Sequence, residues 1–256
     1  MTTHEDAAKT LGDPRLDYHR RQFERTYRSV VHLRQFVKLQ LDDCKRPYRA
    51  LDAACGAGAN MVHLSTALPA TTWTGVDFDS EVLSLGTELL ARQSANQQRT
   101  EFVLGDILQL DTLLEPRSYD LAFSIQTLSW LPDYKRAMSV LLEMLRPGGV
   151  AFVTSLFTDF LVDAEILVTQ LSDECAPIDP KPYHYNIYSV DRFIRHCLEC
   201  GAQRVESVDF EIDLELAEPE SRHMGTFTRR LIDGSLIQQS GPILMPWKFL
   251  AIHMGS

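Results

Sequence analysis

The chain has 256 residues, 45% of them hydrophobic and 23% charged, which suits one large domain with a sizeable core. Its formal net charge is −10 and it has no dense Lys/Arg run, so a polyanion such as DNA or RNA would meet a repulsive average field. The start MTTHEDAAKT lacks the layout of a signal peptide and no apolar run approaches a membrane span, so the expectation is a cytoplasmic protein with neither a nucleic-acid nor a membrane partner.

In chain order, residues 1–17 read as a polar lead-in. Between Tyr18 and Leu41 the residues Phe23, Tyr27, Val30, Val31, Phe36, Val37 and Leu41 recur at helical spacing, predicting one or two amphipathic helices, a cap spanning 18–44. The interleaved arginines read as a solvated face, with Arg28 as a candidate carboxylate contact. Strand and helix then alternate: strand 48–53, helix 59–67, strand 71–76, helix 80–92, strand 101–105, strand 119–125, helix 133–145 and strand 149–157. The last of these is set up by the turn Pro147-Gly148-Gly149. This alternation predicts an α/β, Rossmann-like, doubly wound parallel sheet over 48–157. Residues 158–189 break the rhythm and read as an insertion over the sheet's carboxyl edge. A helix at 190–200 follows, ending at Gly201, then a strand at 204–216, a hairpin at 226–240 with a two-residue Asp233-Gly234 turn, and a final strand at 247–254. Five cysteines without a leader read as free thiols. Cys197 and Cys200 form a lone C-x-x-C without a second ligand pair, and no metal is expected.

The stretch LDAACGAGAN (51–60) falls between the first strand and its helix, where ligands bind in a doubly wound sheet. Glycine there lets the backbone approach a ligand. An acid gripping ribose hydroxyls is expected about 20 residues on, and Asp77 lies nineteen residues after Gly58. The dinucleotide pattern G-x-G-x-x-G fails at Met61, and Asp52 would repel a pyrophosphate. A nicotinamide dehydrogenase is therefore the weaker reading, and a cationic, phosphate-free nucleoside fits better.

With these residues the sequence resembles the class I S-adenosylmethionine-dependent methyltransferases, from about Ala50 to Leu156. The family's acid-x-Gly-x-Gly-x-Gly appears as Asp52 to Gly58, with Ala54 in place of the first glycine. The resemblance implies a seven-stranded sheet whose last strand is antiparallel and inserted beside the fifth. It implies S-adenosyl-L-methionine as cofactor and S-adenosyl-L-homocysteine as product. It also implies that the cofactor is held by Asp52, Ala54, Gly56, Gly58, Asp77, Phe78, Asp106, Ile107 and Ser124, with Asp106 at the adenine edge and Phe78 and Ile107 against the ring. Each residue has a plainer role beside this one: helix cap for Asp52 or Asp77, turn residue for Asp106, core for Phe78 or Ile107.

The fourth strand ends Ser124-Ile125-Gln126-Thr127, unlike the amino-methyltransferases of DNA bases, and Asp120 begins its strand, at the wrong end for a metal-dependent catechol-type site. His184, Tyr183 and Gln126 are the candidate catalytic residues, and Thr127, Trp130 and Tyr185 the candidate substrate contacts, each with loop or lid packing as its alternative. His19 and His223 are weaker candidates for a base. The tail resembles bacterial methyltransferases of surface-polysaccharide or small-metabolite gene clusters, which implies O-methylation of a sugar or similar polar small molecule. N- or C-methylation, or a non-catalytic cofactor-binding subunit, stays as the alternative. The 226–240 hairpin reads either as a pocket wall or as the contact of a homodimer.

Overall fold

A computed structural model describes residues 13–93, 99–179, 181–220 and 223–255; the first twelve residues of the expected lead-in lie outside them. Two helices open the chain, α1 (Pro14–Glu24) and α2 (Arg28–Gln40). Asp13 caps α1 by accepting from the Arg15 N–H, and proline stands in the first turn, where a missing N–H costs nothing. Then come β1 (Arg49–Ala53), α3 (Ala59–Ser65), β2 (Thr72–Asp77), α4 (Ser80–Ala91), β3 (Thr100–Leu104), α5 (Leu110–Leu113), β4 (Tyr119–Ile125), α6 (Tyr134–Glu143) and β5 (Leu145–Thr158). The second half holds β6 (Leu167–Val168), β7 (Tyr183–His184), β8 (Tyr188–Ser189), α7 (Val190–Glu199), β9 (Ala202–Asp209), β10 (Thr226–Arg230), β11 (Leu236–Ser240), β12 (Ile243–Met245) and β13 (Trp247–Met254).

The main sheet runs β3-β2-β1-β4-β5-β13-β9, with the short β8 also paired to β5. β1 to β5 are mutually parallel, whereas β13 is antiparallel to both β5 and β9 and sits between them. The order reverses between β1 and β4, so the ends of β1, β2 and β4 open one crevice.

Period-two alternation divides the strands between two apolar layers. Leu121 and Phe123 of β4, Val150 and Phe152 of β5, and Phe249 and Ala251 of β13 face α2 and α3. Ala122, Ala151, Val153, Leu250 and Ile252 face α6 and α7. Phe36 of α2 reaches Phe152 and Phe249, with ring centroids 6.2 and 6.0 Å away, and Phe123 stacks on Phe152 at 5.2 Å. These contacts anchor the N-terminal helices on the sheet. The two cysteines of the C-x-x-C lie at the end of α7, Cys197 inside the core and Cys200 as the C-cap.

Three expectations change. The 204–216 strand leaves the sheet at Asp209, because β13, its partner, begins at Trp247; Phe210 then closes on the Trp247 carbonyl. The hairpin turn is a three-residue loop. Leu231 N–H donates to Ser235 O, Gly234 N–H donates to Leu231 O, and Gly234 takes φ 87°, the left-handed geometry of such loops. An unforeseen strand, β12, joins β10 and β11 in a second small sheet.

Candidate functional site

The loop after β1 is the structural centre of the crevice. Ala54, Gly56 and Gly58 take φ of 62°, 54° and 84°, so every second residue is left-handed and the chain forms a tight cradle. It is fixed by Cys55 N–H to Val76 O (3.0 Å), Gly58 N–H to Cys55 O (3.0 Å) and Gly56 N–H to an Asp77 carboxylate oxygen (2.8 Å). The two glycines do different work. A Cβ on Gly58 would strike Met61 and Phe102 at 2.8 and 2.9 Å, so this glycine allows close helix–strand packing and does not line the cavity. Gly56 does line it, and a Cβ there would strike the His19 ring at 2.8 Å.

Beyond the loop opens a cavity of about 780 Å³, a volume suited to a small molecule with a cofactor beside it. Ala54, Cys55, Gly56 and Asp77 line one end, and Gln126, Thr127, Trp130, Tyr183 and Tyr185 line the middle. Asp77 ends β2 with one oxygen on the Gly56 N–H and the other on the Asp79 N–H at 3.0 Å. Asp52 lies behind the loop, 1% exposed, with neither carboxylate oxygen hydrogen-bonded. Desolvation by burial, and secondarily the charge of Asp77, push its pKa up to about 8.

The remaining expected residues separate. Gly105 N–H donates to Asp77 O, which sets the end of β3 beside that of β2. Asp106 follows there, but its carboxylate caps a 3₁₀ turn by accepting from Leu108 N–H at 2.9 Å, and it is outside the cavity lining. Phe78 stands 78% exposed at the same edge, and Ile107 is buried in the core under α6. Ser124 is fully buried with an unpartnered hydroxyl and does not reach the cavity. Tyr183 and Tyr185 line the cavity, whereas His184 between them is not among the lining residues. His223 is also outside the lining.

Gln126 is held in left-handed backbone (φ 59°), its N–H donating to the Thr154 carbonyl and hydroxyl at 2.8 and 3.1 Å. Trp130 meets Tyr183 and Tyr185 at centroid distances of 5.2 and 5.1 Å. The insertion is pinned to this spot by Asn186. It is fully buried, donates from its backbone to Ser129 O and from its amide to Leu131 O, and accepts from Ile166 N–H. Asp120, at the opposite end of β4, pairs with Arg46 and Arg146 far from this edge.

Sequence reasoning underrated α1 and missed the far wall. Arg15 pairs with Asp79 and Glu81, and His63 of α3 binds Gln22 O at 2.9 Å, so α1 lies over the glycine loop with His19 on Gly56. Burial depresses the His19 pKa; Asp77 and Asp79 oppose that, and Arg15 adds to it. The far wall includes Phe210, Ile212, Leu214 and Leu216. Their alternation, read as strand, is that of an extended strap with every second side chain turned inward. The hairpin is a wall as well, since Thr226, Gln238 and Ser240 line the cavity.

The profile of the family described as methyltransferase domain matches residues 50–149, the stretch that builds the cradle and both acids. Residues 50–149 are thus similar to a methyltransferase domain. The domain is similar to part of the trans-aconitate 2-methyltransferase of Deinococcus radiodurans, 36% identical over 111 residues, covering 43% of this chain and 38% of that one. It is also similar to the demethylmenaquinone methyltransferase of Staphylococcus aureus, 33% identical over 103 residues, covering 40% of each. The chain thus matches about two fifths of the length of these curated relatives. In fold it is similar to a geranyl diphosphate methyltransferase solved with S-adenosylmethionine, at TM-score 0.55 and 16% identity, covering 98% of this chain and 95% of that one.

The residues of the methyltransferase domain fit that cofactor. Gly56 and Asp77 both line the cavity, Asp77 with a carboxylate, and Asp52 is a buried carboxyl without a hydrogen-bond partner at the end of β1, just before the cradle. Among the described residues no helix is long and apolar enough to cross a membrane.

Proposed function

We propose that this chain transfers a methyl group from S-adenosylmethionine to a small molecule bound in the cavity, with oxygen as the accepting atom. The observation that carries this is the Asp77 carboxylate, which closes β2, accepts from the Gly56 N–H and faces the same cavity as Gln126, Thr127 and Trp130. In this reading Asp77 grips the ribose hydroxyls, and Asp52, protonated to about pH 8 by its burial, gives up its proton when the cationic amino-acid end binds nearby. Exposed Phe78, beside Asp77, would meet the adenine, with Asp106, just past the end of β3, near its edge and Ile107 in the core behind. When bound, the cofactor supplies an electrophilic methyl on a good leaving group.

The protein's part is alignment and exclusion of water. Trp130, Tyr183 and Tyr185 shape the acceptor's place, and left-handed Gln126 holds its side chain at the end of β4. Burial raises the pKa of Tyr183 and Tyr185, so both remain hydrogen-bond donors at neutral pH. His19, kept neutral by burial and lying on Gly56, replaces His184 as the nearest candidate for accepting a proton.

Incubating the protein with methyl-labelled S-adenosylmethionine and a panel of small hydroxyl compounds tests this reading. Label should move to an acceptor with the wild type and fall at least about tenfold with Asp77→Ala. If the wild type binds the cofactor and transfers label to no hydroxyl or amine, the non-catalytic alternative takes its place.

A further inference from the structure

The end of the cavity away from the glycine loop differs sharply from the loop end. Phe210, Ile212, Leu214 and Leu216 form one side, Met245, Trp247 and Phe249 the floor, and Val30 and Leu33 of α2 the other side. Trp130 stands between the two ends, 48% exposed, with Tyr185 edge-on to it at 83°. Among the described lining residues Arg28 is the only lysine or arginine, and its guanidinium is taken: Nε donates to Asp213 Oδ1 at 3.0 Å and Nη2 to Oδ2. The remaining polar groups at this end are neutral, chiefly Thr226, Gln238 and Ser240. A carboxylate or phosphate would lose its hydration there without gaining a free cation. A sugar would leave most of its hydroxyls against carbon.

We propose that the acceptor is an uncharged phenol with a largely apolar body, its ring beside Trp130 and its apolar part under the 210–216 strap. This rests on the methyltransferase reading above and adds the substrate class. A large apolar pocket with a few neutral polar groups orients such a molecule by shape and by one or two hydrogen bonds. The titratable groups agree with a phenol over an aliphatic alcohol. Both nitrogens of His63 are engaged, by Gln22 O and Thr26 Oγ1. Tyr18, Tyr183 and Tyr185 are raised by burial, and His19 is lowered. No lining group is a strong base. A phenol of pKa about 10 yields its proton to a weak base such as the neutral His19 imidazole, whereas an aliphatic hydroxyl needs a stronger one. In the transfer, the phenolic oxygen forms the O–C bond to the methyl carbon. The C–S pair returns to sulfur, the sulfonium donor becomes a neutral thioether, and the hydroxyl proton passes to neutral His19 and from there to solvent.

The test uses the neutral fluorophore N-phenyl-1-naphthylamine with the full chain, with and without S-adenosylhomocysteine. Its emission should rise on binding and be displaced by 2-naphthol at a concentration at least about tenfold below that needed for trans-aconitate or methyl glucoside. Leu214→Asp, at the exposed rim of the strap, should weaken the fluorophore at least about tenfold and leave calorimetric affinity for S-adenosylhomocysteine unchanged. Failure of the fluorophore to bind, or stronger competition by trans-aconitate or the glucoside, would overturn the proposal while S-adenosylhomocysteine binding kept the methyltransferase reading intact. Binding of the fluorophore and 2-naphthol without any binding of S-adenosylhomocysteine would overturn the cofactor reading and leave the pocket assignment standing.

Discussion

Asp52 is the residue whose chemistry is most out of the ordinary. Its carboxyl is fully buried, has no hydrogen-bond partner, and keeps its proton to about pH 8, whereas the unfolded chain releases it near the ordinary value of 3.8. The folded state therefore binds more protons between these limits, and Asp52 makes the protein less stable as pH rises through that window. Asp52→Asn should remove the effect. In urea unfolding without cofactor, its advantage over the wild type should grow from pH 5 to pH 8, by at most ~1.4 kcal/mol per pH unit; a constant gap would mean that Asp52 is ionised in the fold. Ala54 is a second informative position. At φ 62° it holds the left-handed backbone that the family fills with glycine. Ala54→Gly relieves a strain of about 1–2 kcal/mol while giving the unfolded chain more freedom. The expected net gain is about 1 kcal/mol or less in thermal or urea unfolding, and a loss would show the strain to be absent. The acid and glycine spacing made these residues legible in the sequence. Their protonation and dihedrals were not, because both depend on burial.

At the scale of elements, the parallel strands and the helices between them follow from local pattern; β1 to β4 stand where alternation or a continuous apolar run put them, while β5 starts at Leu145 and takes the expected Pro147-Gly148-Gly149 turn into the strand as an irregularity. The elements that shape the acceptor cavity were harder to read. The strap at 210–216 carries the same period-two pattern as a strand, and only the lack of a partner beyond Trp247 keeps it out of the sheet. His184 sat in the aromatic run that does face the cavity, but a one-residue register decides which side it takes. Helix α1 contacts the loop through His19, a long-range meeting that no local pattern encodes. That contact can be measured. Gly56→Ala adds a methyl 2.8 Å from the His19 ring at a positive φ, so it should destabilise by a few kcal/mol. Adding His19→Ala should recover the steric part, a coupling of at least ~0.5 kcal/mol in a double-mutant cycle. Strict additivity would show that α1 is not seated on the loop.

At the scale of the whole molecule, the strand order places three things along one edge of the sheet. They are the cradle after β1, the acid that ends β2 and the cavity-lining groups after β4, with the N-terminal helices, the insertion and the small sheet folded over them. The first two fit the methyl donor, and the apolar far wall is built outside residues 50–149. The proposed activity requires that the cradle accept a phosphate-free cationic nucleoside through Asp77. Isothermal titration of the full chain with S-adenosylmethionine and with NAD, repeated on Asp77→Ala, measures this directly. The prediction is saturable binding of S-adenosylmethionine, no comparable binding of NAD, and a loss of at least about tenfold in the variant. Binding of NAD in preference, or an Asp77→Ala affinity equal to the wild type, would contradict it.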